Sequence, residues 1–186
     1  MRSLVLAALI AAPAAAQETR FEDGPGPNLV IELGNGADGE VVIDLLPDVA
    51  PQHVERLVAL AEEGAYDGVV FHRVIDGFMA QTGDVEFGRG EDIGAAGMGG
   101  SQLPDLPAEF SDVPFERGVV GMARSASPDS ANSQFFIMFD AAPHLDGGYT
   151  VVGRVVEGME NVDAIARGEP PADPATMAQV QVEPGV

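Results

Sequence analysis

What most limits the folds open to this chain is the shortness of its apolar runs between residues 28 and 182, where Gly, Pro, Asp or Ser separates each run from the next. Residues 28–33 and 40–46 alternate branched apolar with polar side chains around Gly34-Asn35-Gly36, the pattern of strand, turn and strand. Residues 69–74, 78–81, 119–123, 135–139, 149–156 and 177–182 are further short apolar or alternating runs, and the spacing predicts an antiparallel sheet or barrel. The period changes in two places. Val54, Leu57, Val58 and Ala61 stand at i, i+3, i+4 and i+7, behind Pro51 and ahead of Gly64, which predicts one amphipathic helix. Met159, Val162, Ile165 and Ala166 predict a second over 159–166, after which a Pro-rich piece, 169–174, leads to the last strand. No internal repeat and no second domain is visible. Residues 88–108, rich in Gly and Pro, form the longest irregular stretch, and a loop of that length in a compact domain is functional or mobile.

The first sixteen residues, MRSLVLAALIAAPAAA, differ from the rest: a positive Arg2, an apolar run, a breaking Pro13 and an Ala-x-Ala ending. They read as a secretory signal peptide. The run is about half of the ~20 residues a membrane-spanning helix needs. The expectation is a chain processed after Ala16 and placed in a bacterial periplasm, with 17–27 a flexible leader and 28–186 the folded domain. Thirty acidic side chains face nine basic ones, all arginine, for a net charge of −21. That sign opposes binding to phosphate backbones or anionic lipid, so neither nucleic acid nor a membrane anchor is expected, and an acidic monomer is the simplest state. The chain has no cysteine, which removes disulfides, thiol nucleophiles and cysteine-based metal sites.

Several motifs fail on chemistry. The glycines at 88–100 cannot complete a phosphate loop without lysine, no G-x-S-x-G turn exists to carry a nucleophile, and Ser101 reads as a loop residue. His53, His72 and His144 are too scattered for a zinc site; His53 reads as exposed on the outer half of the first helix and His72 as a hydrogen-bonded structural side chain. No spacing fixes two carboxylates toward a substrate, and the motif region offers only Asp76 and Asp84.

Two segments are more informative: FHRVIDGFMAQTGD at 71–84 and GVVGMARSASPDSANSQFFIM at 118–138, the latter followed by His144-Leu145-Asp146-Gly147 and by VVGRV at 151–155. The first gathers Arg73, Phe78, Met79 and Gln81 within nine residues, and in an extended strand Met79 and Gln81 share a face. Gln134 and Phe136 likewise share one. An arginine among Phe and Met either snorkels over apolar surface or serves as a fixed cation. Together the residues describe a shallow apolar pocket with one cation and two neutral amides. That set lacks a nucleophile and a proton-transfer base, so a reaction there need not break a covalent bond.

Over about residues 28–182 the chain resembles the cyclophilins, the peptidyl-prolyl cis-trans isomerases, and most closely their exported bacterial members. The resemblance implies a mainly β fold, an eight-stranded antiparallel β-barrel closed by two α-helices, with a groove on its outer face. It implies a proline-ring pocket of Phe78, Met79, Phe136 and Leu145, and Arg73 as the catalytic arginine acting with Phe78 and Gln81. Gln81 and Gln134 match substrate-binding amides, and Ala123 with Arg124 the segment whose backbone pairs with a peptide. Two positions depart from the frequent pattern: His144 stands in place of a tryptophan and Tyr149 in place of a histidine, both counted among the substrate-binding residues. No cofactor or metal is implied, and the partners are proline-containing segments of unfolded or exported polypeptides. Two competing readings are a non-catalytic peptide-binding or holdase module on the same fold and a hydrolase built on a carboxylate pair.

Overall fold

The computed structural model describes residues 21–90 and 92–186; the expected signal peptide, 1–16, and residues 17–20 of the expected leader lie outside the described residues. The elements in chain order are β1 (Pro27–Gly34), β2 (Gly39–Leu45), α1 (Pro51–Glu62), β3 (Val69–Val70), β4 (Arg73–Ile75), β5 (Met79–Thr82), β6 (Val119–Met122), β7 (Phe135–Met138), a 3₁₀ turn (Pro143–Leu145), β8 (Val151–Glu157), α2 (Met159–Asp163) and β9 (Thr176–Pro184). All nine strands form one antiparallel sheet in the order β3-β9-β1-β2-β8-β6-β7-β5-β4.

The expected eight strands are therefore nine, and the extra one has a plain origin. The single run 69–74 is divided between the two edges of the sheet: Val69 and Val70 pair with β9, while Arg73 to Ile75 pair with β5. Only Phe71 and His72 separate them, so the sheet must curl until its edges are one short link apart. Both outer edges are occupied. The Val70 N–H donates to the Gly88 carbonyl, and Val74 exchanges two backbone hydrogen bonds with Gly168, at 2.8 and 2.9 Å.

The alternation seen in the sequence fills the inside of the curl. Leu29, Ile31 and Leu33 of β1 face inward with Val41 and Ile43 of β2, and Val74, Ala80, Val120 and Ile137 join them from the far side. α1 adds Val54, Leu57, Leu60 and Ala61, and it stops at Gly64, whose φ of 68° suits glycine. The second helix is shorter than expected, five residues, with Ile165 buried just beyond it. A second cluster lies outside the sheet: Met79, Phe115, Val119, Phe136, Met138, Ala142, Leu145 and Val151. Strands β6 and β7 are consequently buried on both faces, which is why they read as unbroken apolar runs. Of the expected leader, Phe21 packs against this outer cluster with the Arg154 guanidinium 5.5 Å from its ring, and Gly26 is buried.

Two histidines differ from expectation. His53 is fully buried rather than exposed, because its ring turns from α1 toward the 103–113 loop and sets Nδ1 2.6 Å from Glu109 Oε2. Burial raises the Glu109 carboxyl, but hydrogen bonds from His53 and from the backbone N–H groups of Gln52 and His53 outweigh it and hold that carboxyl below its ordinary value. His72, in the link between the sheet edges, is a buried structural side chain, and among the described residues neither ring nitrogen makes a well-formed hydrogen bond. Gly97 lies against it, and a Cβ there would stand 3.0 Å from the imidazole Cδ2.

Burial holds the His72 pKa below the usual histidine range. A base so depressed takes up a proton more readily when unfolded, so its stability contribution is complete above the unfolded value, about 6.5, and declines as pH falls through that value toward the folded one. We expect the urea midpoint to drop between about pH 7.5 and 5, with most of the drop absent in His72→Phe; the Glu109 effect belongs to the lower, carboxylate range.

Candidate active site

Strand register assembles the site. Arg73 pairs with Gln81, Gln81 with Phe136, and Phe136 with Gly121, so four residues from β4, β5, β7 and β6 form one row across the outer face. Met79, two residues before Gln81, lies on the same face beside Ile75 and Met138. Gly121, which pairs onward with Val151 of β8, is glycine because no side chain fits: a Cβ would lie 2.6 Å from both Phe115 and Phe136 ring atoms. Phe115 can then stack on Phe136, with centroids 5.8 Å apart, and Tyr149 meets Phe136 edge-on at 5.9 Å.

These residues line an open pocket of about 350 Å³. Its floor is buried Met79, Phe136 and Leu145. Phe78 and exposed His144 form one wall, their rings stacked at 5.8 Å, and Tyr149 forms the other under the Arg124 guanidinium, 4.2 Å from the ring centroid. Arg124 is itself clamped, donating to the carbonyls of Gly148 and Ser125, so it shapes the rim with its plane. The Ala123 N–H is taken by the Gln134 carbonyl, so a bound peptide could pair only with the Ala123 carbonyl.

Of the residues singled out in the sequence, Arg73, Phe78, Met79, Gln81, Ala123, Arg124, Phe136, His144, Leu145 and Tyr149 line this pocket. Gln134 does not; it lines the adjoining cleft of about 420 Å³, which also borders Gln81, Ala123 and Arg124. Its amide joins the two regions. Gln134 Nε2 donates to the carbonyls of Gly97 and Gly99, at 3.1 and 2.8 Å, and its Oε1 accepts from Gln81 Nε2 at 2.9 Å. Gln81 Oε1 in turn lies 3.5 Å from Arg73 Nη1.

Arg73 has a partner that sequence reasoning missed. Its Nε is 2.9 Å from Glu169 Oε1, on a segment 96 positions later in the chain. None of the described residues accepts from Nη2, which leaves that donor for a ligand. The two acids of the motif region lie elsewhere: Asp76 is exposed and paired with Arg167, and Asp84 is fully buried. Asp84 Oδ1 accepts from the N–H groups of Glu86 and Phe87, and Oδ2 from those of Gly97 and Gly99. It is a loop anchor. Ser101 is likewise engaged, its hydroxyl donating to Asn132 Oδ1. Among the described residues no group of three or more His, Asp or Glu could hold a metal ion.

The family model described as cyclophilin type peptidyl-prolyl cis-trans isomerase/CLD matches residues 29–184. A probable peptidyl-prolyl cis-trans isomerase of Brucella suis biovar 1 (strain 1330) is 55% identical over 169 residues, covering 89% of this chain and 85% of the relative. Peptidyl-prolyl cis-trans isomerase-like 3 of Gallus gallus is 40% identical over 129 residues, 69% of this chain and 77% of the relative. The crystal structure of cyclophilin AquaCyp293 from Hirschia baltica aligns with a TM-score of 0.72 at 27% identity, over 86% of this chain and 75% of that one. A Cryptosporidium parvum cyclophilin-type isomerase, solved in the presence of the dipeptide Ala-Pro, shares the fold with a TM-score of 0.72 at 23% identity, over 84% of this chain and 98% of that one.

The Asp84 anchor yields a test. In Asp84→Asn, whichever way the amide turns, its NH₂ meets two backbone N–H groups that had an oxygen acceptor. Loss of those hydrogen bonds should lower stability by about 2–4 kcal/mol in urea unfolding, with faster amide exchange at Gly97 and Gly99 if the amide nitrogen faces them.

Proposed function

The chain belongs to the cyclophilin-type peptidyl-prolyl cis-trans isomerases, and from that premise we propose that it accelerates rotation about X-Pro bonds in unfolded, exported polypeptides, with Arg73 as the catalytic donor. The barrier to that rotation is about 18–20 kcal/mol, because amide resonance must be given up, and the uncatalysed exchange takes tens to hundreds of seconds. As the bond twists, the imide nitrogen becomes pyramidal and gains a lone pair. A guanidinium N–H aimed at that nitrogen binds the twisted state more strongly than either planar one, which is the condition for acceleration.

The observation that carries this reading is the half-exposed Arg73 guanidinium at the edge of an apolar floor sized for a small ring. Met79, Phe136 and Leu145 would hold the proline ring, with Phe78 against its side. Gln81 would orient the residue before it, and the Ala123 carbonyl would pair with the peptide backbone. Gln134 then serves through Gln81 and the 97–99 loop. His144 and Tyr149 complete the apolar walls, each with a polar tip toward water. The cycle needs no proton transfer and no cofactor, since the same bonds exist before and after.

Two outcomes test the reading. Arg73→Ala should lower kcat/KM at least tenfold in a protease-coupled assay, equivalent to about 1.4 kcal/mol of transition-state stabilisation, while its unfolding midpoint stays near wild type. Unchanged turnover in a folded Arg73→Ala protein would remove the assignment. Export is supported by the composition of residues 1–16, and the expected product is a periplasmic chain beginning at Gln17. N-terminal sequencing of the periplasmic fraction checks it, and an intact Met1 in the cytoplasm contradicts it.

A further inference from the structure

The row Arg73–Gln81–Phe136–Gly121 also extends outward beyond Arg73. Gly168 exchanges two backbone hydrogen bonds with Val74 as an antiparallel bridge, which sets residue 169 opposite residue 73 on the groove face. Glycine is needed at 168: its φ is 150°, and a Cβ there would come within 2.6 Å of Pro171 Cα. The approach to the bridge is stapled as well. Arg167 Nε contacts Asp76 Oδ1 at 3.1 Å, its guanidinium lies 4.0 Å from the Phe139 ring centroid, and its Nη1 donates to the Asp163 carbonyl. Glu169 is thus delivered to Arg73 by the backbone.

The guanidinium's other contacts are long: 3.5 Å from Nη1 to Gln81 Oε1 and 4.0 Å from Nη1 to Met79 Sδ. The Nε contact with Glu169, at 2.9 Å, is the short one. The guanidinium is a rigid plane, so a carboxylate beside Nε fixes the direction of the whole group at the pocket that Arg73 lines.

We propose that Glu169 is a positioning residue for Arg73, holding its Nε so that the guanidinium is presented to the twisting imide before substrate arrives. The inference rests on the catalytic assignment of Arg73 above. Preorganisation of a donor acts on the transition state, so its loss falls on kcat rather than KM. Both side chains of the pair are about half exposed, 42% and 52%, so the effect is modest and screened by salt.

The experiment measures kcat and KM for wild type, Glu169→Ala, Glu169→Gln, Arg73→Ala and the Arg73→Ala/Glu169→Ala double variant. Glu169→Ala should lose about fivefold in kcat with KM changed less than about twofold. Glu169→Gln, which keeps a polar oxygen beside Nε without the charge, should recover part of that loss. Raising NaCl to about 1 M should bring wild type toward Glu169→Ala. The double variant should match Arg73→Ala, since Glu169 acts only through that side chain. Wild-type kcat in Glu169→Ala beside a crippled Arg73→Ala overturns the positioning role alone. Multiplied losses in the double variant also overturn it, because they show an independent structural effect. Full activity in Arg73→Ala removes the catalytic assignment and this inference together.

Discussion

The carboxylate of Asp84 accepts four backbone hydrogen bonds, and the groove takes its shape from that knot. Gly97 and Gly99, fixed through their N–H groups, present their carbonyls to Gln134; Gln134 holds Gln81, and Gln81 faces Arg73. A buried anion with so many donors is satisfied where a lone one would be costly. The turn that aims it depends on Gly83, whose φ is 85° and whose Cβ would meet the Ser133 carbonyl oxygen at 2.6 Å. Glycine there lets the chain leave β5 and bury Asp84 three residues after Gln81 has been set on the groove face.

Two apolar layers on opposite sides of one sheet keep that face rigid. The inner layer gives the domain its core, and the outer one, centred on Phe136 and Met79, supports the pocket floor from beneath and from the side. Polar donors stand only at the pocket's margin. A ring that enters meets hydrocarbon below and a cation at one edge, an arrangement in which a developing lone pair is stabilised with little reorganisation.

Most of the architecture was legible from residue order because the dominant signals are local. Alternation in β1 and β2, the helical stripe of α1 and the Met79/Gln81 face each depend on neighbours a few positions apart. What was missed is non-local. The run 69–74 looks like one strand because its apolar character is continuous; its division between two sheet edges is visible only once β9 and β5 are in place. His53 sits at a helical position that periodicity assigns to solvent, and only the loop bearing Glu109 buries it. Asp84 had no role assigned from the sequence, because the Gly97 and Gly99 N–H groups that it anchors are brought to it only by the folded loop. Glu169 could have been suspected only from its place between Gly168 and the two prolines 170 and 171, a signal for a fixed bend that says nothing of Arg73.

The sheet order places β9, residues 176–184, between β3 and β1. Strands β1 and β3 therefore cannot complete their pairing until residues 176–184, far later in the chain, are available. Contacts of such large sequence separation make for slow folding, since loop-closure entropy is lost before they form. For a polypeptide carried across a membrane as an unfolded thread, as proposed here, that delay is an advantage. In such a chain, forming the β9 pairs last would postpone the compact state until passage is complete.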